Sequence, residues 1–109
     1  MTKPFTAAIK VDFGNGVRLG AGKIELLKLV SDTGSISAAA RKMDMSYRKA
    51  WLLLNEMNLM FGKPVIETAA GGSGGGGAKI TEHGKKVIIV FEGLQTEADA
   101  LVAQKFSRL

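Results

Sequence analysis

Residues 35–61, SISAAARKMDMSYRKAWLLLNEMNLMF, constrain the fold more than any other stretch of the chain. Ser35 is placed to cap a helix, because its side-chain oxygen can accept from a backbone N–H that lacks an intrahelical partner. Ile36, Ala39, Ala40 and Met43 then recur three and four residues apart, which makes one narrow apolar stripe. The small side chains of Ala38, Ala39 and Ala40 let another helix approach closely. Asp44–Met45 is too short for a wandering loop, and Ser46 caps a second, longer helix. A short helix, a tight turn and a longer helix predict a helix-turn-helix over 35–61.

The longer helix sorts its faces. At about 100° per residue, Ala50, Leu53, Leu54, Met57, Met60 and Phe61 gather on one side. Arg48, Leu52, Asn55 and Leu59 lie on the other, with Tyr47 and Trp51 on a flank. A helix that only filled a core has no reason to put Tyr47, Arg48 and Lys49 in its first turn, where positive charge opposes the macrodipole. A phosphate backbone turns that penalty into attraction, since cations and free N–H groups converge on it. The plainer alternative is an amphipathic helix whose basic end is solvated.

The charge balance points the same way. The net charge is +5, and residues 41–86 hold eight Lys or Arg against four Asp or Glu. Basicity concentrated around the two-helix unit suits an acidic polymer such as nucleic acid. The length allows one compact domain, and 46% apolar residues suffice for a modest core. The absence of cysteine excludes a disulfide scaffold and a thiolate metal site. No basic-then-apolar leader opens the chain, and apolar runs such as Val87–Phe91 are far too short to span a bilayer, so a soluble cytoplasmic protein without a membrane partner is expected.

Around this unit the chain predicts a small α+β domain, mainly α. Phe5, Ala7, Ile9, Val11 and Phe13 alternate with polar or small residues, as a half-buried strand does. Gly14-Asn15-Gly16 accepts positive φ, and Val17 and Leu19 resume the alternation, giving a hairpin over 5–19. Ile24, Leu27 and Val30 predict a helix over 23–33, stopped by Gly34. Residues 64–68 form a β-like run before the Gly/Ser tract of 71–77, and Ala78-Lys79-Ile80 reads as the returning strand. A Gly/Ser tract is also the composition of a flexible linker. Apolar β-formers on both sides favour a hairpin over 64–80, which directly after a helix-turn-helix is a wing. Thr81 can cap a last helix of about 37 Å, more than so small a domain covers. Its stripe of Val87, Ile88, Phe91, Leu94, Ala98 and Leu101 therefore predicts pairing with a second copy, against the alternative of folding back on its own core.

Residues 33–84 resemble the DNA-binding domain of the molybdate-responsive transcriptional regulators of the ModE type. The likeness is carried by Gly34-Ser35-Ile36-Ser37, by Met45-Ser46-Tyr47-Arg48-Lys49-Ala50-Trp51 and by Asn55-Glu56-Met57-Asn58. It continues through residues 68–78 and Thr81-Glu82-His83-Gly84. The resemblance implies a winged helix-turn-helix over 1–84, a dimerisation helix over 85–109, and operator binding as a homodimer. Asp44 stands where such turns commonly carry glycine, and aspartate tolerates left-handed backbone better than most residues. The sequence ends at Leu109, with no oxyanion-binding module after the long helix, so no small-molecule effector or cofactor is expected for this chain.

A transcriptional regulator reading duplex DNA is the leading expectation. Ser46, Tyr47, Arg48, Lys49, Trp51, Leu52 and Asn55 would face the major groove. Arg48 could donate two hydrogen bonds to guanine, and Asn55 could pair with adenine. Ser35, Ser37 and Lys79 are candidates for phosphate contacts, which set affinity more than sequence choice. Trp51 equally suits packing against the wing. Leu52 and Leu59 keep open a winged helix that binds protein instead. An oxyanion nest in the glycine tract ranks last. Enzymatic chemistry is not expected: His83 is the only histidine, in a first helical turn where it reads as a solvated residue, with no paired nucleophile or carboxylate nearby.

Overall fold

The computed structural model describes residues 5–68 and 77–109. In chain order these form β1 (Lys10–Asp12), β2 (Arg18–Gly20), α1 (Ala21–Thr33), α2 (Ile36–Lys42), α3 (Tyr47–Met60), β3 (Ile66–Thr68), β4 (Ala78–Ile80) and α4 (Glu82–Phe106). The glycine-rich tip expected between β3 and β4, residues 69–76, lies outside the described residues. The strands make two separate antiparallel pairs, β1 with β2 and β3 with β4. The architecture is a winged helix-turn-helix, mainly α, with an N-terminal hairpin.

Helix boundaries follow local chemistry. The hydroxyls of Ser35, Ser46 and Thr81 accept from the N–H groups of Ala38, Lys49 and Gly84, each satisfying one otherwise unpaired donor. Gly34 ends α1 in the left-handed region at φ 70°, and its carbonyl accepts from Ala78 N–H, tying the wing to the α1–α2 junction. Asp44 sits at φ 55° in the turn of the helix-turn-helix, so the aspartate does adopt the left-handed backbone that glycine would take there.

The core lies where α1, α2 and α3 meet the wing and the start of α4. Leu26, Leu27, Val30, Ala39, Ala50, Leu54, Met57 and Val65 are buried to within a few per cent, closed above by Val87 and Phe91 of α4. Each large side chain among them contributes about 1.5–3 kcal/mol of transfer free energy. Lys28 of α1 donates to Glu92 of α4 at 2.7 Å, and that carboxylate raises the lysine pKa above its ordinary value.

Asn58 fastens the wing to α3. Its Oδ1 accepts from Val65 N–H at 2.7 Å and from Ile66 N–H at 3.3 Å, just as the chain enters β3. Removing it leaves two half-buried donors unpaired, so Asn58→Ala is expected to cost about 2 kcal/mol. Asn58→Asp keeps an accepting oxygen and should recover most of that loss. Thermal melting of the pair checks it, and equal melting of wild type and Asn58→Ala would refute the anchoring role.

Two sequence expectations change in the folded chain. Only Lys10–Asp12 of the long N-terminal alternation pairs in a ladder, in register Lys10↔Gly20, Val11↔Leu19 and Asp12↔Arg18. Residues 5–9 run instead along the outer half of α4: Ala7 N–H donates to Asp99 Oδ1, Gln95 Nε2 donates to Ala7 carbonyl, and Phe5 stacks on Phe106 at 5.9 Å. Side chains of a helix replace the missing partner strand. The second change concerns α4. Val87 and Phe91 are buried in the chain's own core, and Ile88 and Ala98 are half-buried, so only Leu94 and Leu101 of the expected dimer stripe stay exposed. The first turns of α4 lie over α1 and β4, which the helical period alone could not reveal.

Candidate nucleic-acid interface

Helix α3 presents three distinct surfaces once its core face is spent on Ala50, Leu54 and Met57. Straight outward point Arg48 and Leu52, both exposed, with Asn55 half-buried beside them. On one flank Tyr47 and Trp51 lean toward the wing. On the other, roughly 160° around from Trp51 at 100° per residue, stands Lys49.

The wing flank is concave and polar. Ser35, Ser37, Tyr47, Trp51 and Thr68 border a cleft of about 230 Å³, which joins the start of α2 to the start of α3. A second cleft of about 160 Å³ is bordered by Trp51, Asn55, Asn58 and Thr68. Trp51 is common to both and is 44% exposed, so its ring lines the clefts beside Thr68 while keeping a free edge. Packing and ligand contact are compatible for this side chain. Lys79 is exposed on β4, with Glu67 of β3 as its cross-strand partner in the ladder. Five of the expected contact residues, Ser35, Ser37, Tyr47, Trp51 and Asn55, therefore border two neighbouring clefts that share Trp51 and Thr68. Arg48 and Leu52 line neither cleft and stand exposed on the outward face, Ser46 is spent as a cap, and Lys49 lies on the opposite flank.

Thr68 is not among the expected contact residues, because a threonine closing a short β-run carries no sign of a contact until the wing folds against α3. His83 is the opposite case. The ring packs edge-on against Phe61 at 5.4 Å, and its Nε2 is sealed from solvent without a hydrogen-bond partner among the described residues. It is an aromatic filler between α3 and α4, not the solvated helix-end residue expected. Among the described residues no cluster of carboxylates and imidazole is placed to hold a metal ion, and no helix is long and apolar enough to cross a membrane.

No family model matches the sequence. Among known proteins, the chain is 40% identical over 88 residues to the molybdenum-pterin-binding protein MopB of Rhodobacter capsulatus, an overlap of 81% of this chain and 33% of that protein. It is 30% identical over 105 residues to the molybdenum transport protein ModE of Azotobacter vinelandii, covering 96% of this chain and 39% of that one. It is 41% identical over 70 residues to the DNA-binding transcriptional dual regulator ModE of Escherichia coli K12, covering 64% and 27%. The chain thus spans roughly a third of the length of the curated relatives it matches. The crystal structure of a LysR family transcriptional regulator superposes with a TM-score of 0.57 over 80% of this chain and 25% of that one, at 18% identity, which bears on the fold alone. Over most of its length the chain is thus similar to proteins named ModE and MopB, and its architecture is that of a winged helix-turn-helix.

Proposed function

We propose that this chain is the DNA-binding part of a transcriptional regulator, which inserts α3 into the major groove of an operator as a homodimer. The observation that carries the reading is the pair of adjoining clefts bordered by the start of α2, the wing flank of α3 and Thr68 of the wing, beside the exposed outward face of α3. Arg48 stands on that face in the first turn of α3, free of core packing. The first turns of α2 and α3 carry no acidic residue, so nothing on these helix starts competes with phosphate for the N-terminal N–H groups. Residues 1–84 would form the reading unit and the outer part of α4 the pairing element. Relatives named for molybdenum transport, molybdenum-pterin binding and ModE regulation support a place in molybdenum-linked control.

Reading and holding separate by mutation. Arg48→Ala should cost about 1–3 kcal/mol and relax preference at one base position, as loss of a bidentate guanine contact does. Lys79→Ala should weaken all sequences about equally and make the salt slope shallower by about one unit per half-site. Binding of both variants to a panel of operator mutants at several salt concentrations is the test. Uniform weakening by Arg48→Ala would reassign it to backbone holding and leave readout to Tyr47, Trp51 or Asn55.

A protein-binding winged helix is the second reading, favoured by Leu52 and Leu59, both exposed on the outward face of α3. Steep salt dependence of duplex binding counts against it, whereas an apolar contact responds little to salt.

A further inference from the structure

The flank of α3 that turns away from the wing opens into a groove of about 440 Å³ between α3, the turn before it and the β1–β2 hairpin. Its cations come from three places in the chain: Lys49 from α3, Lys23 from α1, and Lys10 and Arg18 from the hairpin. Glu56 is the one carboxylate lining it among the described residues, and it lies 3.3 Å from Lys23 Nζ. Lys23 also donates to the Arg18 carbonyl at 2.6 Å, so this largely buried lysine is a strut between hairpin and α3. Glu56 is thereby committed to the strut.

The remaining three cations are open to solvent. Lys10 and Lys49 have no carboxylate within ion-pair distance among the described residues, and Arg18 meets Asp12 only loosely, at 3.7 Å. Pleat alternation separates them from the core: Val11 and Leu19 turn inward while their neighbours Lys10 and Arg18 are exposed. Lys10 pairs with Gly20, and its Cγ lies 3.4 Å from where a β-carbon on Gly20 would stand. The missing side chain lets the lysine stem lie on the strand. Three exposed like charges around one groove repel each other and destabilise the fold until an anion neutralises them.

A helix lying in the major groove, about 12 Å wide, has a phosphate ridge along each of its flanks. The wing flank of α3 offers Ser35, Ser37 and Lys79 to one ridge. We propose that Lys10 and Arg18, with Lys49, hold the phosphates of the other ridge, so that the N-terminal hairpin serves as a second clamp on duplex DNA. The assignment rests on the major-groove docking of α3 proposed above.

The test uses the full chain and two duplexes of equal length, one of random sequence and one recovered from sheared genomic DNA by the wild-type protein. The double variant Lys10→Gln/Arg18→Gln should make the dependence of log K on log salt shallower by about one unit per cation removed per half-site, on both duplexes. The affinity ratio between the two duplexes should not change, because phosphate contacts carry no sequence information. Lys105→Gln/Arg108→Gln, in the last turn of α4 and just beyond it, removes the same charge and should leave the slope as it was. A hairpin variant with the wild-type slope overturns the assignment, and so does a control variant with an equally reduced slope. If the double variant melts early, Lys10→Met keeps the stem on Gly20, removes one charge and should still lower the slope; an unchanged slope there refutes the clamp. Wild-type protein that binds neither duplex would overturn the major-groove reading itself, a result distinct from a failed clamp.

Discussion

Gly84→Ala is expected to lower stability by about 3 kcal/mol, although alanine is the better helix former. In an exposed helix interior that exchange would gain roughly 1 kcal/mol. Here a β-carbon on Gly84 would press into the backbone carbonyl of Val65 and within 2.5 Å of Ile80 Cγ1. The carbonyl cannot step aside, because it accepts from Thr81 N–H at 3.0 Å, where β4 turns into α4. Thr81 adds a second constraint, donating its hydroxyl hydrogen to the Pro64 carbonyl while accepting from Gly84 N–H. Overpacking against fixed backbone falls at the costly end of the usual 1–3 kcal/mol. For a domain of this size the melting temperature should drop by on the order of 15 °C. Gly93, in the same helix, has open space around it, so Gly93→Ala should raise stability by about 0.5–1 kcal/mol. Paired melting curves decide the matter, and a stabilised Gly84→Ala would show that α4 does not seat on the wing as described.

The second large effect concerns pairing. A domain of 109 residues packed to ordinary compactness has a radius of gyration of about 13 Å, whereas this chain has 16.0 Å and extends over 59 Å along its major axis. The excess is α4, 25 residues long, projecting past the three-helix core. On it Val90, Leu94 and Leu101 are 70%, 41% and 54% exposed and fall within about 40° of one another at 100° per residue. Val90 was absent from the heptad-like stripe read in the sequence, because that stripe followed Val87 and Phe91, which turn inward. The exposed line continues into an apolar hollow of about 350 Å³, walled by Val11, Phe13, Phe61 and His83. Leu94→Asp/Leu101→Asp should therefore convert a dimer of twice 11.5 kDa into monomers by light scattering. Affinity for a two-half-site operator should fall by about 10²–10⁴-fold, since linked half-sites lose their avidity. Neither leucine supports the chain's own core, so the variant should melt close to the wild type in its monomeric form. A wild-type protein that is monomeric at micromolar concentration would sink the pairing.

How legible the molecule was depends on the range of the forces involved. The caps at Ser35, Ser46 and Thr81, the left-handed Asp44 and Gly34, the turn at Gly14-Asn15-Gly16 and the inward face of α3 all follow from groups a few residues apart. Backbone hydrogen bonding and the 3.6-residue period act over that distance, so a string of letters carries them. The candidate interface was half legible for the same reason. The periodicity put Arg48, Leu52 and Asn55 on one face, but it could not tell which flank of α3 would meet the wing and which the hairpin.

Those decisions belong to groups brought together from far apart in the chain. Asn58 gains its role only when Val65 and Ile66 turn back over it, and Gly84 only when the Val65 carbonyl arrives above it. Along residues 5–13 only Ala7, Ile9 and Val11 of the expected inner face are half-buried, while Phe5 and Phe13 stay exposed, and residues 5–9 lack a strand to pair with and take Gln95 and Asp99 of α4 instead. Val87 and Phe91 were rightly read as apolar and in need of cover. Whether a second chain or their own core supplied it was decided by how α4 leaves the wing. The sequence by itself determined which residues must be covered and where each helix starts and stops, because desolvation and capping are local. Only the tertiary structure decided what covers them, because that depends on the angle at which distant elements meet.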